Sequence, residues 1–383
     1  MSYRAIKIKL FPTREQEKLL WQSAGTARFA YNWAKEFADT YYRLYKKNLS
    51  TGKARKHFTK LRNHKKYVWL KEVSSEIPQQ AIKDYFEALD KFFKKIAGYP
   101  RFKSRKRSVV SFYHLNSKFI VSDNMIKLEK IGEIKMKDDN RLPKGNYKCD
   151  KIKVCNPRVK HNGKYWYISV GIEYECEKCE LDKTLSVGID IGIKALATVS
   201  NFEKPFGNIN KTQRVRRLKK QLRRLQRQVS RKYEKNRSGN RYSKTNNILK
   251  LERKIKLLHK RLSDIRLNYL HQVTIAIAKT KPYRIVMEDL NIKGIIKNKH
   301  LVKAISEQGF AKFIKLMKYK AEKFGIEFIQ ADRFYPSSKT CSHCGSLKKD
   351  LRLSERIYHC SCCGFTIDRD KNASINLANY KLA

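Results

Sequence analysis

The first apolar positions alternate with charge: Ile6, Ile8 and Leu10 are interleaved with Lys7 and Lys9. A period of two predicts a half-buried strand. Thr13, followed three residues later by Gln16 and preceded by Pro12, has the form of a capping box that starts a helix. From there to about Lys47 apolar residues recur at helical spacing and include many rings: Trp21, Phe29, Tyr31, Trp33 and Phe37. A second long helix is predicted from near Pro78, with Ile82, Phe86, Leu89 and Phe93 on one face and Gly98 and Pro100 ending it. Residues 13–97 thus read as a helical domain after a first strand. Over 109–175 the period changes to two. Phe119-Ile-Val, Ile126-Lys-Leu, Ile134-Lys-Met, Ile152-Lys-Val and Tyr165-Trp-Tyr-Ile-Ser-Val read as short strands between Asn, Gly and Pro turns. The expectation is an antiparallel barrel that includes the first strand and carries the helical domain as an insertion.

Residues 185–200 predict a buried strand turning into a second one. Residues 214–232 hold ten Arg or Lys and no acid. Leu218, Leu222, Leu225 and Val229 recur there at spacings of four and three, and Ile248, Leu251, Ile255, Leu258, Leu262 and Ile265 do so after a polar turn at Tyr233–Ser243. That is a basic helical hairpin with coiled-coil spacing, whose short turn favours internal packing over a dimer seam. A buried strand at 284–290, a helix from about Phe310 to Phe324, a strand at Glu327–Asp332, a cysteine-bearing segment and a last helix complete the chain.

Charge changes the picture. The 383 residues carry 87 Lys and Arg against 35 Asp and Glu, a formal net charge of +52. Self-repulsion on that scale destabilises a compact state unless a polyanion is present, so the partner expected is nucleic acid. The first residues lack the apolar core of a secretion signal, and no run of about 18 apolar residues exists to span a membrane. Nine cysteines without such a signal point to metal ligands and the cytosol. Arg101, Lys103, Arg105, Lys106 and Arg107 form a dense basic stretch suited to phosphates, as do Arg216, Arg217, Lys220, Arg223 and Arg224 on the hairpin. Tyr99, Phe102 and Tyr113 have two open uses, stacking on bases or packing in a core.

Two cysteine pairs carry the most specific chemistry. Cys341 and Cys344, and Cys360 and Cys363, have two residues inside each pair and fifteen between pairs, the spacing of a four-thiolate zinc ribbon. Cys362 is an extra thiol inside the second pair and a competing ligand. Cys176 and Cys179 are plain thiols or a second metal site, which Cys149 and Cys155 could join although their spacing fits no ribbon. Asp190 lies in an apolar strand, where an unpaired carboxylate is costly. Gly188, Asp190 and Gly192 share one strand face, and the glycines leave room for a metal and a phosphate. Glu288 ends the strand Ile285-Val286-Met287, with Asp289 beside it. Asp370 stands where an N-cap would sit, and capping alone is the competing explanation for it. Together the three acids suit two divalent metals, Mg²⁺ or Mn²⁺, about 4 Å apart, one activating water and one stabilising the leaving oxygen of a phosphodiester. An Asp on a first strand, a Glu on a middle strand and an Asp on a late helix fit an RNase H-like fold.

Gly188-Ile-Asp-Ile-Gly, Met287-Glu-Asp-Leu-Asn, Ser337-Ser-Lys-Thr-Cys-Ser-His-Cys-Gly, Cys360-Ser-Cys-Cys-Gly and Asp368-Arg-Asp-Lys-Asn-Ala-Ser resemble TnpB, the RNA-guided nucleases of insertion-sequence transposons related to type V CRISPR effectors. The basic Pro100–Arg107 segment and the helical region after Phe11-Pro12 resemble them too. The resemblance covers nearly the whole chain. It implies a multidomain α+β and α/β fold. An antiparallel wedge barrel (1–12 and 98–180) would carry an inserted helical recognition domain (13–97). A RuvC nuclease domain (181–334 and 367–383) would include the helical hairpin at 211–279 and be interrupted by a zinc ribbon (335–366). It implies a guide RNA from the transposon end, cleavage of double-stranded DNA beside a short transposon-adjacent motif, one protein per RNA, and a prokaryotic cytoplasm with nucleoid association. By motif match Asp190, Glu288 and Asp370 would be catalytic and Cys341, Cys344, Cys360 and Cys363 would hold one zinc. Asp370 is favoured over Asp368 by its place two residues before the Asn-Ala pair, and Arg369 would touch the scissile phosphate. A guide-free nuclease or transposase uses the same acids. A nuclease-dead RNA-guided repressor would be expected to have lost one, and all three are present.

Overall fold

Alternation at the N-terminus becomes β1 (Ser2–Phe11), and Thr13 closes the expected capping box with Gln16 at the start of α1 (Arg14–Tyr45). The computed structural model describes all residues except 1, 106–107, 138–141, 143–144, 147–153, 175–179, 240, 292–293, 295–300, 353 and 382–383. The chain divides into two units, Met1–Glu175 and Cys176–Ala383.

In the first unit, α1 is followed by α2 (Thr51–Asn63), a 3-10 segment (Lys65–Lys71) and α3 (Glu76–Phe93). The sequence did not signal α2: only Ala54 and Phe58 are buried in it, with Leu61 half-buried against the core and lysines and arginines around them. Helix α3 buries Ile77, Ala81, Ile82 and Tyr85, whereas Phe93 is 57% exposed because the helix runs on past its core. Strands β2 (Val110–Tyr113), β3 (Ile120–Ser122), β4 (Met125–Leu128), β5 (Gly132–Met136), β6 (Gly145–Asn146), β7 (Val154–His161) and β8 (Trp166–Tyr174) join β1 in an eight-stranded antiparallel sheet ordered β2-β7-β8-β1-β5-β4-β3-β6. Among the described residues no pairing joins its two edges. Ile6, Ile8 and Leu10 lie opposite Val170, Ile168 and Trp166, and all six are buried. On the other face Lys9 covers the ring of Tyr165, with Nζ 3.5 Å from its centre.

His114, 4% exposed, is sealed into this unit. Its Nε2 accepts from the Glu129 N–H (3.0 Å), so its Nδ1–H donates to the Leu115 carbonyl (2.9 Å). Burial pushes its pKa from 6.5 down to about 4, against the opposing pull of the Leu115 carbonyl and Glu129. Between those values the unfolded chain takes up a proton that the folded chain refuses. Stability is therefore full above pH 6.5 and falls by up to about 3 kcal/mol as pH drops toward 4. Urea midpoints measured from pH 7.5 to 4.5 should fall more steeply for the native protein than for His114→Gln; parallel curves would refute this.

The second unit opens with β9 (Asp182–Ile191), β10 (Ala195–Val199) and β11 (Phe206–Gly207). The basic hairpin follows as α4 (Gln213–Lys235), a β12–β13 turn (Arg237–Ser238 and Arg241–Tyr242) and α5 (Asn246–Ala278). Val215, Leu218 and Leu222 pack on Leu258 and Leu262, so the apolar stripes close on each other. Then come β14 (Pro282–Glu288), α6 (Val302–Gln308), α7 (Phe310–Phe324), β15 (Glu327–Ala331), β16 (Ile357–His359), β17 (Thr366–Asp368) and α8 (Arg369–Ala378). A five-stranded sheet runs β11-β10-β9-β14-β15; its first two pairings are antiparallel and its last two parallel. Its two faces follow the period of two. Val187, Ile189, Ile285 and Met287 pack with Leu270, Val273 and Ile277 of α5 and Phe313 and Met317 of α7. Val286 turns the other way, onto Leu377 of α8.

Candidate active site and metal centre

Gly188 and Asp190 share the sheet face that meets α8. A Cβ at Gly188 would lie well inside van der Waals distance of the Ser374 carbonyl oxygen and the Ala378 amide nitrogen. The glycine therefore makes room for a helix, which corrects the expectation that it clears space for a metal and a phosphate. Two further anchors hold α8 there. Ser186 Oγ (2.6 Å) and Arg284 (2.9 Å) both donate to the Ala378 carbonyl at its C-terminus, where a cation also complements the helix dipole. Lys371 Nζ donates to the carbonyls of Val199 (3.2 Å), at the end of β10, and of Ser200 (2.8 Å) and Phe202 (2.7 Å) beyond it. Burial lowers the Lys371 pKa, with Glu203 opposing.

This docking sets Asp370 beside Asp190. Asp370 is not the cap: Asp368 is, accepting from the N–H groups of Asp370 (3.0 Å) and Lys371 (3.1 Å). With Asp368 holding the helix start, the Asp370 carboxylate is released from capping. Although Asp190 keeps some contact with solvent, burial pushes its pKa up to about 8, helped by Glu288 and then Asp370 and opposed by Arg369. Glu288 and Asp370 thus lie near enough to Asp190 to oppose its ionisation, while among the described residues only the four cysteines bring their ligand atoms within 4.8 Å of one another. The donors are hard oxygens, suited to Mg²⁺ or Mn²⁺.

Glu288 ends β14, opposite Ala331 of β15. Ser337, 2% exposed, donates its hydroxyl to Glu288 Oε1. The neighbouring Asp289 is occupied elsewhere, in an ion pair with Arg333 (2.6 Å). Two residues that the sequence reading passed over fix this region. Asn376 Nδ2 donates to the carbonyls of Ser337 and Thr340, both at 2.7 Å. Asn372 Nδ2 donates to Thr340 (2.7 Å), and its Oδ1 accepts from the Ser342 N–H (3.0 Å). Two asparagines four apart inside a helix are a readable signal, since Asn disfavours helix interiors unless it serves backbone groups elsewhere.

Those struts lead into the cysteines. The Sγ atoms of Cys341, Cys344, Cys360 and Cys363 all lie within 4.8 Å of one another. Each pair sits in the same turn. Gly345 N–H donates to Cys341 O (2.9 Å) and Gly364 N–H to Cys360 O (3.0 Å), with both glycines left-handed at φ 76° and 71°. The Ser346 hydroxyl, then backbone N–H groups, bring the Cys360 thiol down to about 5. Four converging thiol sulfurs suit zinc. Cys362 is exposed and outside the cluster. Cys155 is a half-buried free thiol, and Cys149, Cys176 and Cys179 lie outside the described residues.

Arg216, Arg217, Lys220, Arg223 and Arg224 are exposed along α4. Arg101 and Arg105 are exposed, and Lys106 and Arg107 lie outside the described residues. Lys103 is more engaged: Nζ stands 3.6 Å from the centre of the Tyr31 ring, its backbone pairs with the Asn32 amide, and burial lowers its pKa against Asp84. Lys103, Arg105, Asp84 and Arg158 line a cavity of about 300 Å³. The Tyr99 hydroxyl donates to Asp39 (2.5 Å) and that of Tyr113 to Asn116 (3.3 Å), while Phe102 is 57% exposed. Arg369 donates to the carbonyls of Arg352 (3.3 Å) and Glu355 (3.2 Å), with Nε 3.9 Å from Asp370. No helix among the described residues is long and apolar enough to cross a membrane.

Known proteins are similar to this chain in sequence and in fold. Three family profiles match: a "Cas12f1-like, TNB domain" over 310–377, a "Probable transposase" of the IS605 OrfB type over 169–299, and a "Helix-turn-helix domain" over 1–47, which here is β1 followed by α1. A "Putative RNA-guided DNA endonuclease" of Streptomyces pristinaespiralis is 32% identical over 381 residues, covering 99% of this chain and 90% of its own. A protein of Escherichia coli K12, "Putative RNA-guided DNA endonuclease InsQ", is 30% identical over 98% of this chain and 91% of its own. In fold, the chain is similar to Cas12f1 solved by cryo-EM with sgRNA and target DNA, at a TM-score of 0.55 and 14% identity over 99% of both chains. Similarity to full-length relatives over nearly the whole sequence settles the family: the chain belongs to the TnpB family of IS605-type transposons.

Proposed function

We propose that the protein is an RNA-guided DNA endonuclease that hydrolyses DNA phosphodiesters beside a short transposon-adjacent motif. The observation that carries this reading is that Glu288 and Asp370, from a second strand and a distant helix, lie close enough to Asp190 to raise its pKa. The order β11-β10-β9-β14-β15 supports an RNase H-like, RuvC-type domain at 181–334 and 367–383, with the α4–α5 hairpin inserted and a zinc ribbon at 335–366. The antiparallel sheet of the first unit supports a wedge-type domain at 1–12 and 98–180, with 13–97 as the recognition domain. The relatives' names support the guide and the substrate.

Two bound Mg²⁺ or Mn²⁺ ions would supply an activated water and a stabilised leaving oxygen. The chain's own part is to hold three carboxylates together against their repulsion, which it does by docking α8 on Gly188 and fixing Glu288 through Ser337. One zinc would tie the two cysteine turns into a rigid module. The exposed arginines and lysine of α4 would follow RNA and heteroduplex backbones, while base pairing reads the target. A cytoplasmic, nucleoid-associated enzyme with one chain per guide RNA fits this chemistry.

The test is to sequence the RNA that copurifies with the protein from cells carrying its native locus, then to assay cleavage with Mg²⁺. One discrete species from the transposon end that dictates the cut is expected. A heterogeneous RNA pool, with cutting indifferent to it, would overturn the guided reading in favour of a guide-free nuclease.

A further inference from the structure

A glutamate at the end of a strand has three free torsions, and each loss of freedom must come from a neighbour. For Glu288 that neighbour is Ser337, whose hydroxyl donates to Oε1. The Ser337 main chain is held on both sides. Its carbonyl accepts from Asn376 Nδ2 (2.7 Å), and its N–H donates to the Tyr335 carbonyl (2.8 Å). Three residues on, the Thr340 carbonyl takes two amide donors, Asn372 and Asn376, both at 2.7 Å, and the next residue is Cys341. A continuous set of hydrogen bonds thus runs from the first cysteine turn, through α8, to one oxygen of Glu288. The same helix carries Asp370.

We infer that Ser337 is the positioning residue for Glu288: it holds Oε1 and leaves Oε2 to a divalent cation shared with Asp190 and Asp370. This rests on the acidic cluster being a cation site. Because Asn376 spans Ser337 and Thr340, the cysteine module and α8 together set the position of that hydroxyl. Residues that orient a metal-binding carboxylate govern affinity, and losing one typically costs ten- to a hundredfold.

The experiment titrates Mn²⁺ into the full-length, zinc-loaded protein, with Mn²⁺ binding read by electron paramagnetic resonance. Ser337→Ala should weaken Mn²⁺ binding about tenfold or more, with zinc content and melting temperature unchanged. Ser337→Thr, which keeps the hydroxyl, should restore it. In a Glu288→Gln background the Ser337→Ala penalty should disappear, because the hydroxyl acts only through the carboxylate. Native affinity in Ser337→Ala, failure of the threonine to rescue, or an undiminished penalty in the Glu288→Gln background would each overturn the inference. The nuclease reading fails separately: native protein that binds Mn²⁺ but cuts no DNA with its copurified RNA refutes that reading and leaves the Ser337 measurement standing.

Discussion

Asp190→Asn is expected to abolish DNA cleavage while guide RNA and target DNA still bind. Asparagine keeps the shape of the side chain but removes the charge at the middle of the three-acid cluster. A fall of about 10³-fold or more, equivalent to about 4 kcal/mol of transition-state stabilisation, is anticipated. A variant cutting at a tenth of the native rate would remove Asp190 from the role given to it. The same substitution should stabilise the metal-free fold. There the Asp190 carboxyl titrates near 8, against an ordinary 3.8, because of burial and then Glu288 and Asp370. Between those values the unfolded chain sheds a proton that the folded chain retains, so native stability declines as pH rises through the window. Metal-free Asp190→Asn should therefore melt higher than metal-free native protein at pH 8, with the gap closing toward pH 4.

Gly188→Ala is expected to be the most damaging single-methyl change in the second unit. The added Cβ would collide with the Ser374 carbonyl and the Ala378 amide, both main-chain atoms of a helix, and with Leu377 Cβ at 2.8 Å. Flexible side-chain ends give way to such contacts, but this backbone is pinned by Ser186, Arg284 and Lys371. The cost should reach about 3 kcal/mol or more, a fall of about 6–12 °C in Tm for a unit of this size. Limited proteolysis should then cut near the start of α8, and activity should disappear with Asp370 displaced. An unchanged melting curve would mean that α8 packs elsewhere.

These two residues show how far the sequence could be read. The alternation of Val187, Ile189 and Ile191 against Gly188, Asp190 and Gly192 assigned the strand faces correctly, because a period of two is local geometry. It could not say what covers the second face, and the covering helix lies almost two hundred residues away. Spacing singled out the four cysteines, and the structure brings their sulfurs together. At Asp368 and Asp370, two acids one residue apart both suit a helix start, and only hydrogen bonds decide which one caps. The α4–α5 stripe was legible because leucines at spacings of three and four meet across a short turn. Helix α2 was not, because two buried residues in thirteen do not make a period.

The parallel pairing of β9 with β14 also has a consequence in time. Ile189 meets its partner Met287 only after the entire helical hairpin has been made. Pairings so distant in sequence form slowly, since the intervening loop must be closed before any contact rewards it. The hairpin is built from local contacts, a class that forms faster than distant pairings. Its second arm runs almost directly into β14, delivering that strand to β9 as a short connection would. Of its two edges, β9 pairs one with β10, close by in sequence, and the other with β14, beyond the hairpin. The basic hairpin thus shortens the connection between two neighbouring strands that lie about a hundred residues apart.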